Sequence, residues 1–339
     1  MPTPRIEQHV IDSAANLLRE RVPQREIAAR LGIGQGTVSA IRNGQLQAAR
    51  PPTPPIEANK KEGEFNIDEW LDWMETGQAL KKKASYSQND AVIKLGDGKT
   101  PQIICPQGDW HICSWGTDHK LVRNAIAEIT GTENAWFPLM GDMIQMSIKM
   151  RSVLEVSDNM LPPQAQTEFL EQLLEKIVHK VPFSVWCNHG VEREEKQSGI
   201  SMVKHILSRR TVYFNGIGHP DIQVGPEVYK FAVSHKYRGN SMYDSTFGNR
   251  RYARMEANDR EVILQADLHR PAFSTYYEGG MKRTVLTCGT FQTGSGYAQR
   301  YFSLKTWPVM PCVVLHADRH LVVPFENLSQ ALEYIKAWA

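Results

Sequence analysis

An α/β domain behind a small all-α head is the fold the sequence predicts, and three observations predict it. From about residue 91, short apolar runs alternate with amphipathic stretches, the pattern of strands joined by helices. Residues 5 to 46 carry instead three short helical patterns with no strand signal between them. Between the two textures, residues 47 to 63 hold four prolines in the five positions 51–55, an extended spacer unable to join a packed core. The expected division is 1–46, 47–63 and 64–339, and 339 residues give room for both parts.

Composition narrows the class. Hydrophobic residues make up 41% and charged residues 22%, ordinary for a soluble globular chain. A net charge of +2 excludes a polycation, so any nucleic-acid affinity must come from local patches. Five cysteines, at 105, 113, 187, 288 and 312, form no C-x-x-C pair, which argues against a disulfide framework and a structural zinc site. The N-terminus lacks a signal peptide's apolar run, and no later stretch approaches about eighteen apolar residues. A cytoplasmic protein with no membrane partner is expected.

In the head, Ile6, Val10, Ile11, Ala14, Leu17 and Leu18 place an apolar stripe on a first helix. Pro23 falls where a second helix begins, and QREIAARLG turns Ile27, Ala28 and Leu31 inward before Gly32, a C-cap. A tight IGQG turn leads to TVSAIRNG, a third helix capped near Gly36 or Thr37, burying Val38 and Ile41 and closing at Gly44. The stretch REIAARLGIGQGTVSAIRNG resembles the helix-turn-helix of recombinases, transposases and phage repressors. That resemblance implies DNA as a partner, with Gln35, Thr37, Ser39 and Arg42 facing the major groove. A plain three-helix bundle used for protein contacts is the alternative. After the spacer, FNIDEWLDWMETGQALKKK reads as an amphipathic helix whose Phe65, Ile67, Trp70, Leu71 and Met74 are expected to pack on the larger domain.

In the larger domain, five apolar strands each run into polar or ionisable residues. TPQIICPQ leads to Gly108-Asp109-Trp110-His111, NAWFPLM to Gly141-Asp142, PFSVWC to Asn188-His189, EVYKFAVS to His235, and REVILQA to Asp267-Leu268-His269. Helices HKLVRNAIAEI and PPQAQTEFLEQLLEKIVHK lie between them. Loops after strand ends converge on one edge of an α/β fold, and carboxylates with imidazoles suit a divalent transition metal. A lone histidine after a strand is usually a satisfied or exposed one, and an aspartate after glycine is usually a turn residue. The ordered set of five is what carries the reading.

That order, D-x-H, G-D, N-H, H, then x-x-H, resembles the calcineurin-like metallophosphoesterase superfamily over about residues 100 to 295. The resemblance implies a β-sandwich flanked by helices, four layers αββα, with two divalent metal ions. Asp109, His111, Asp142 and His269 would hold one ion. Asp142 would bridge to a second, held with Asn188, His235 and Asp267. His189 would be the catalytic proton donor or charge stabiliser beside the phosphate. TVLTCGTFQ matches the strand and glycine turn after the last motif.

Departures from the pattern are Cys187 for glycine, Gly190 for an acid that Glu192 or Glu194 might replace, Gln145 for Asp or Asn, and Asp267 for histidine. A carboxylate at 267 moves preference from zinc toward manganese, iron or magnesium, manganese above all. His219 competes with His235 for the fourth motif, but His235 ends a strand. His119 and His205 are further histidines, and Asp118 with His119 is a candidate for substrate contact.

Two divalent ions lower the pKa of water and clamp phosphate oxygens. No G-x-S-x-G or G-x-x-x-x-G-K-[ST] motif offers other chemistry. A phosphodiester is the expected substrate, and the helical head favours a DNA-directed nuclease, a pairing associated with phage and mobile-element proteins. Lys149, Arg151, Lys236, Tyr237, Arg238, Arg250, Arg251, Tyr252, Arg254 and Arg270 supply basic and aromatic groups, Arg238 and Arg270 being the candidate phosphate contacts, with a solvated charged loop as the bland reading. The alternatives are a nucleotide or cyclic-nucleotide phosphodiesterase whose head localises it or makes a homo-oligomer, and a DNA-binding regulator with an inactive phosphoesterase domain.

Overall fold

The computed structural model describes residues 6–43, 66–84, 89–148, 158–293 and 308–338, which fall into two units, Met1–Lys82 and Lys83–Ala339. In the first unit, α1 (Gln8–Arg19), α2 (Gln24–Leu31) and α3 (Gln35–Arg42) close around buried Ala14, Ile27, Ala28 and Val38. Gly32 ends α2 in the left-handed region at φ 64°, as its lack of a Cβ allows. One expectation shifts: α3 starts at Gln35, because extended Gly34 already offers its carbonyl to Thr37 and Val38. Gln35 and Arg42 are exposed, while Thr37 and Ser39 are half-buried. Gly44 and the proline spacer lie outside the described residues.

Asn66 caps α4 (Ile67–Ala84), accepting from the amides of Asp68 and Glu69, while Glu69 accepts from the Asn66 amide. Ile67, Trp70, Leu71 and Met74 are all exposed, and Phe65 lies outside the described residues.

Strands of the second unit are β1 (Asp90–Lys94), β2 (Gln102–Ile104), β3 (Ala135–Trp136), β4 (Phe183–Val185), β5 (Val212–Phe214) and β6 (Ile217–Val224). They continue with β7 (Glu227–Ser234), β8 (Val262–Gln265), β9 (Ala272–Glu278), β10 (Met281–Thr287), β11 (Cys312–Leu315) and β12 (Val322–Phe325). One mixed sheet has the order β1-β6-β7-β8-β10-β9 and a second has β12-β11-β2-β3. Parallel bridges Gln107–Leu139 and Leu139–Ser184 carry the second sheet across to the β4-β5 pair.

Helices of this unit are α5 (His119–Gly131), α6 (Pro163–Ile177), α7 (Arg193–Ser198), α8 (Met202–Arg210), α9 (Phe247–Met255) and α10 (Leu328–Trp338). Side-chain alternation explains the layering. Val262 and Leu264 of β8 join the large core that also takes Ile103, Ile104 and Val313 of the second sheet. Ile263 points the other way, into a smaller cluster with Ala232, Val285 and Tyr252 and Ala253 of α9. Because both faces of this mixed sheet are covered, β8 reads as an unbroken apolar run. The fold is therefore mixed α/β, with a sheet flanked by helices. No described helix is long and apolar enough to cross a membrane.

Candidate metal centre

The ends of β2, β3, β4, β7 and β8 deliver the ionisable residues to one place. Parallel pairing of β2 with β3 continues past the strands: Met140 N–H donates to Gln107 O, Asp109 N–H to Gly141 O, and His111 N–H to Asp142 O. Gly141 permits the approach. Its φ is 99°, and a Cβ there would stand 2.6 Å from His235 Nδ1 and 2.7 Å from the Cys187 Cβ.

Backbone strain collects at this point. Nine described residues other than glycine have positive φ, and five of them are Asp109, His111, Asp142, Asp267 and His269. Each such conformation costs about 1–3 kcal/mol and persists only where surroundings enforce it. Two threonines help enforce it: Thr290 Oγ1 donates to Asp109 O and Thr117 Oγ1 to His111 O, both at 2.6 Å.

Three overlapping groups of donor atoms result, each within 4.8 Å: Asp109, His111 and His269; His111, Asp142 and His189; and Asp109, Asp142 and His235. His111 and His269 bring their Nε2 atoms to 3.0 Å. His235 Nε2 lies 3.3 Å from Asp142 Oδ2 and 3.6 Å from Asp267 Oδ1. His219 instead stacks on Tyr252, with its Nε2 3.3 Å from the Tyr252 hydroxyl.

Both oxygens of Asp109, Asn188 Oδ1 and His235 Nε2 are buried with no hydrogen-bond partner. Buried polar atoms are nearly always satisfied, so orphans gathered at one point require an explanation such as an ion. This donor set of carboxylates, imidazoles and an amide oxygen fits divalent cations.

Neighbouring groups fix the ring tautomers. His235 Nδ1 donates to Met140 O at 2.7 Å, which aims Nε2 at Asp142. Gln145 does the same for His111. Its Nε2 donates to Asp158 Oδ2 and Ser147 Oγ, both at 3.2 Å, so its Oε1 accepts from His111 Nδ1 at 2.9 Å. Ser114 Oγ in turn donates to Asp158.

Charges follow from burial and neighbours. Burial drives the Asp109 carboxyl well above its ordinary range, and the nearby Asp142 and Asp267 add to this. Burial would also raise Asp142, but His235, His189 and His111 outweigh it and hold it ionised. Burial lowers His235, yet Asp142 and the other carboxylates push it up to about 9. Burial pulls His111 and His269 down, leaving both neutral, and takes His189 to about 4.

Asn188 and His189 begin a wide helical turn, Asn188–Glu192, and the His189 amide donates to Asp142 Oδ1 at 2.9 Å. The His189 ring is held from both sides: Nδ1 donates to Gln145 O, and Nε2 accepts from Arg193 Nη2 at 3.0 Å. Arg193 also reaches Gln145 O and Ser147 Oγ.

Here several expectations are corrected. Glu192 pairs with Lys196, and Glu194 accepts from Ser201 Oγ and Val203 N, so neither replaces the missing acid. Gly190 stands at φ 86°, and a Cβ there would come 3.2 Å from Val203 Cγ2, so an acid side chain would be strained. Asp118 caps α5 by accepting from the amides of Lys120 and Leu121, and His119 Nε2 accepts from Cys113 N–H; both have local duties. His205 is exposed on α8.

Of the basic residues, Lys236 comes to the site, 3.9 Å from Asp267 Oδ1 and over the Trp186 ring. Arg238 turns to Glu256 and Tyr237. Arg270, next to His269, is exposed beside Phe273 and Glu326. Lys149 and Arg151 lie outside the described residues. The signal for Arg193, Thr117 and Thr290 was absent from the strand-end pattern, since each acts from a turn or the next helix, whereas Gln145 was visible only as a departure from an expected Asp or Asn.

No protein-family profile and no curated protein matches the chain. Among solved structures it is similar to vacuolar protein sorting 29 of Cryptosporidium parvum, at 14% identity and a TM-score of 0.35, over 68% of this chain and 100% of that one. The same protein from Entamoeba histolytica, complexed with zinc, gives 11% and 0.34, over 66% and 97%. A conserved Streptococcus pneumoniae protein described as a predicted phosphoesterase gives 14% and 0.30, over 67% and 99%. At such identities and TM-scores these neighbours carry no weight for the site, whose case rests on its own geometry.

Proposed function

We propose that the chain is a two-metal-dependent phosphoesterase that hydrolyses phosphodiester bonds in DNA. The observation that carries the catalytic part is the convergence of donor groups from five strand ends around Asp142, with those of Asp109, Asn188 and His235 buried and without a hydrogen-bond partner. Asp109, His111, His269 and Asp142 would hold one ion, and Asp142, Asn188, His235 and Asp267 the other. Bound there, divalent ions supply activation of water and neutralisation of phosphate oxygens. The carboxylate Asp267 in the second set favours a harder ion such as manganese over zinc.

Around that centre the protein's own groups orient the chemistry. Gln145 and Met140 O keep the His111 and His235 rings aimed inward. Of the two roles the resemblance implies for His189, charge stabilisation fits better than proton donation. Its Nε2 already accepts from Arg193, whose guanidinium keeps its charge at any working pH.

The DNA direction is supported by the three-helix head, with Gln35 and Arg42 exposed at the start and end of α3. Chelation should abolish turnover of bis(p-nitrophenyl) phosphate and manganese should restore it; turnover untouched by prolonged chelation refutes the assignment. In the full chain, a Gln35→Ala/Arg42→Ala variant should bind and cut duplex DNA at least several-fold less well while hydrolysing the small ester at the parental rate. Equal loss on both substrates, or on neither, removes the head from DNA recognition.

A further inference from the structure

Outside the metal centre, the outer face of α9 and the edge strand β9 enclose a cavity of about 500 Å³, lined by Phe247, Arg250, Arg251, Arg254, Tyr276 and Tyr277 among others. Helix periodicity builds it. Gly248, Asn249, Tyr252 and Ala253 are buried against the sheet, so Phe247, Arg250, Arg251, Arg254 and Met255 are left on one outward stripe.

Three features distinguish this surface from a solvated charged face. Arg250 lies over the Tyr276 ring at 4.5 Å, and its Nε, like the Tyr276 hydroxyl, is buried with no hydrogen-bond partner. Arg251 makes no ion pair or hydrogen bond among the described residues, so its guanidinium is uncommitted. Tyr277 is 78% exposed and Phe247 41%, presenting aromatic faces at the rim. The one acid lining the cavity, Glu278, is paired with Arg254, and the balance is positive.

The cavity also has a place relative to the chemistry. Thr287 Oγ1 donates to Ser245 O and Asn249 Oδ1, tying the start of α9 to the end of β10, and Thr290 just beyond donates to the Asp109 carbonyl. The start of α9 is thus linked through the end of β10 and the turn after it to the segment that carries Asp109.

We infer that this cavity is an accessory binding site for single-stranded nucleic acid, its arginines meeting backbone phosphates and its exposed aromatic rings stacking bases. The inference rests on the phosphodiesterase reading in one respect, that the strand held here continues to the metal centre. It departs from duplex recognition by the head, so the two sites bring different parts of one substrate.

The test uses the full chain in excess chelator, which separates binding from turnover, with a fluorescein-labelled 20-mer of deoxythymidylate. Tyr277→Ala should weaken binding about fivefold or more. Arg251→Ala should weaken it and flatten the log K against log salt slope by about 0.7, while Arg251→Lys restores the slope. Both side chains are on the surface, and unchanged thermal melting would confirm that the variants fold. Parental affinity and slope in the alanine variants overturn the site, as does preference for a phosphotyrosine peptide over the oligonucleotide. Separately, absence of metal-dependent turnover of bis(p-nitrophenyl) phosphate by the unaltered chain would fault the phosphodiesterase reading while leaving the oligonucleotide result to stand on its own.

Discussion

Gln145 shows how a single side chain sets the chemistry of another. Asp158 is an acceptor only, so it dictates which end of the Gln145 amide faces it, and the other end dictates the His111 tautomer. Gln145→Leu keeps the approximate volume and removes the acceptor. Manganese affinity and turnover should fall roughly 10–100-fold, measured by metal titration and steady-state rates. Parental values would show that the ring is oriented by packing alone. The five left-handed residues of the site were legible in sequence only as polar residues after strands. Their conformation was not: at Asp109, His111 and Asp142 it is held by contacts from Thr290, Thr117 and the paired segments after β2 and β3, far apart in the chain.

Strands and their ends were the most readable elements, since apolar runs bounded by glycine and ionisable residues need no tertiary information to recognise. Gly141 was legible in place only, and the structure supplies the reason: the residue before Asp142 must lack a Cβ because the His235 ring occupies that space. Arg193 escaped notice because it sits four residues past His189, one helical turn into a segment whose acids looked the better candidates. The apolar stripe of α4 marks a limit of periodicity, which specifies a face and not what covers it. Between β1 and β2, the Asp97 carboxylate accepts from the amides of Lys99 and Thr100 and is lowered to about 2 from an ordinary 3.8. A depressed carboxylate stabilises the turn above pH 3.8, and that contribution disappears as pH falls through about 2. Carbon-detected NMR titration should find the Asp97 midpoint near 2, whereas a midpoint near 4 would mean the turn does not hold the carboxylate.

At the scale of the whole chain, the two units explain separate parts of the proposed activity. The larger one carries a centre complete in donors, and the smaller one presents a three-helix head with polar residues exposed on α3. The mixed α/β class and the candidate ligand positions could be read from order along the chain, but the cavity beside α9 could not. It needs the outward stripe of one helix to meet an edge strand that follows nearly twenty residues later. The most direct check on the central claim is anomalous diffraction from crystals of the full chain grown with manganese. Two peaks are expected, one among Asp109, His111 and His269 and one among Asn188, His235 and Asp267, with Asp142 touching both. No peak at these side chains, or ions bound only elsewhere on the surface, would contradict it.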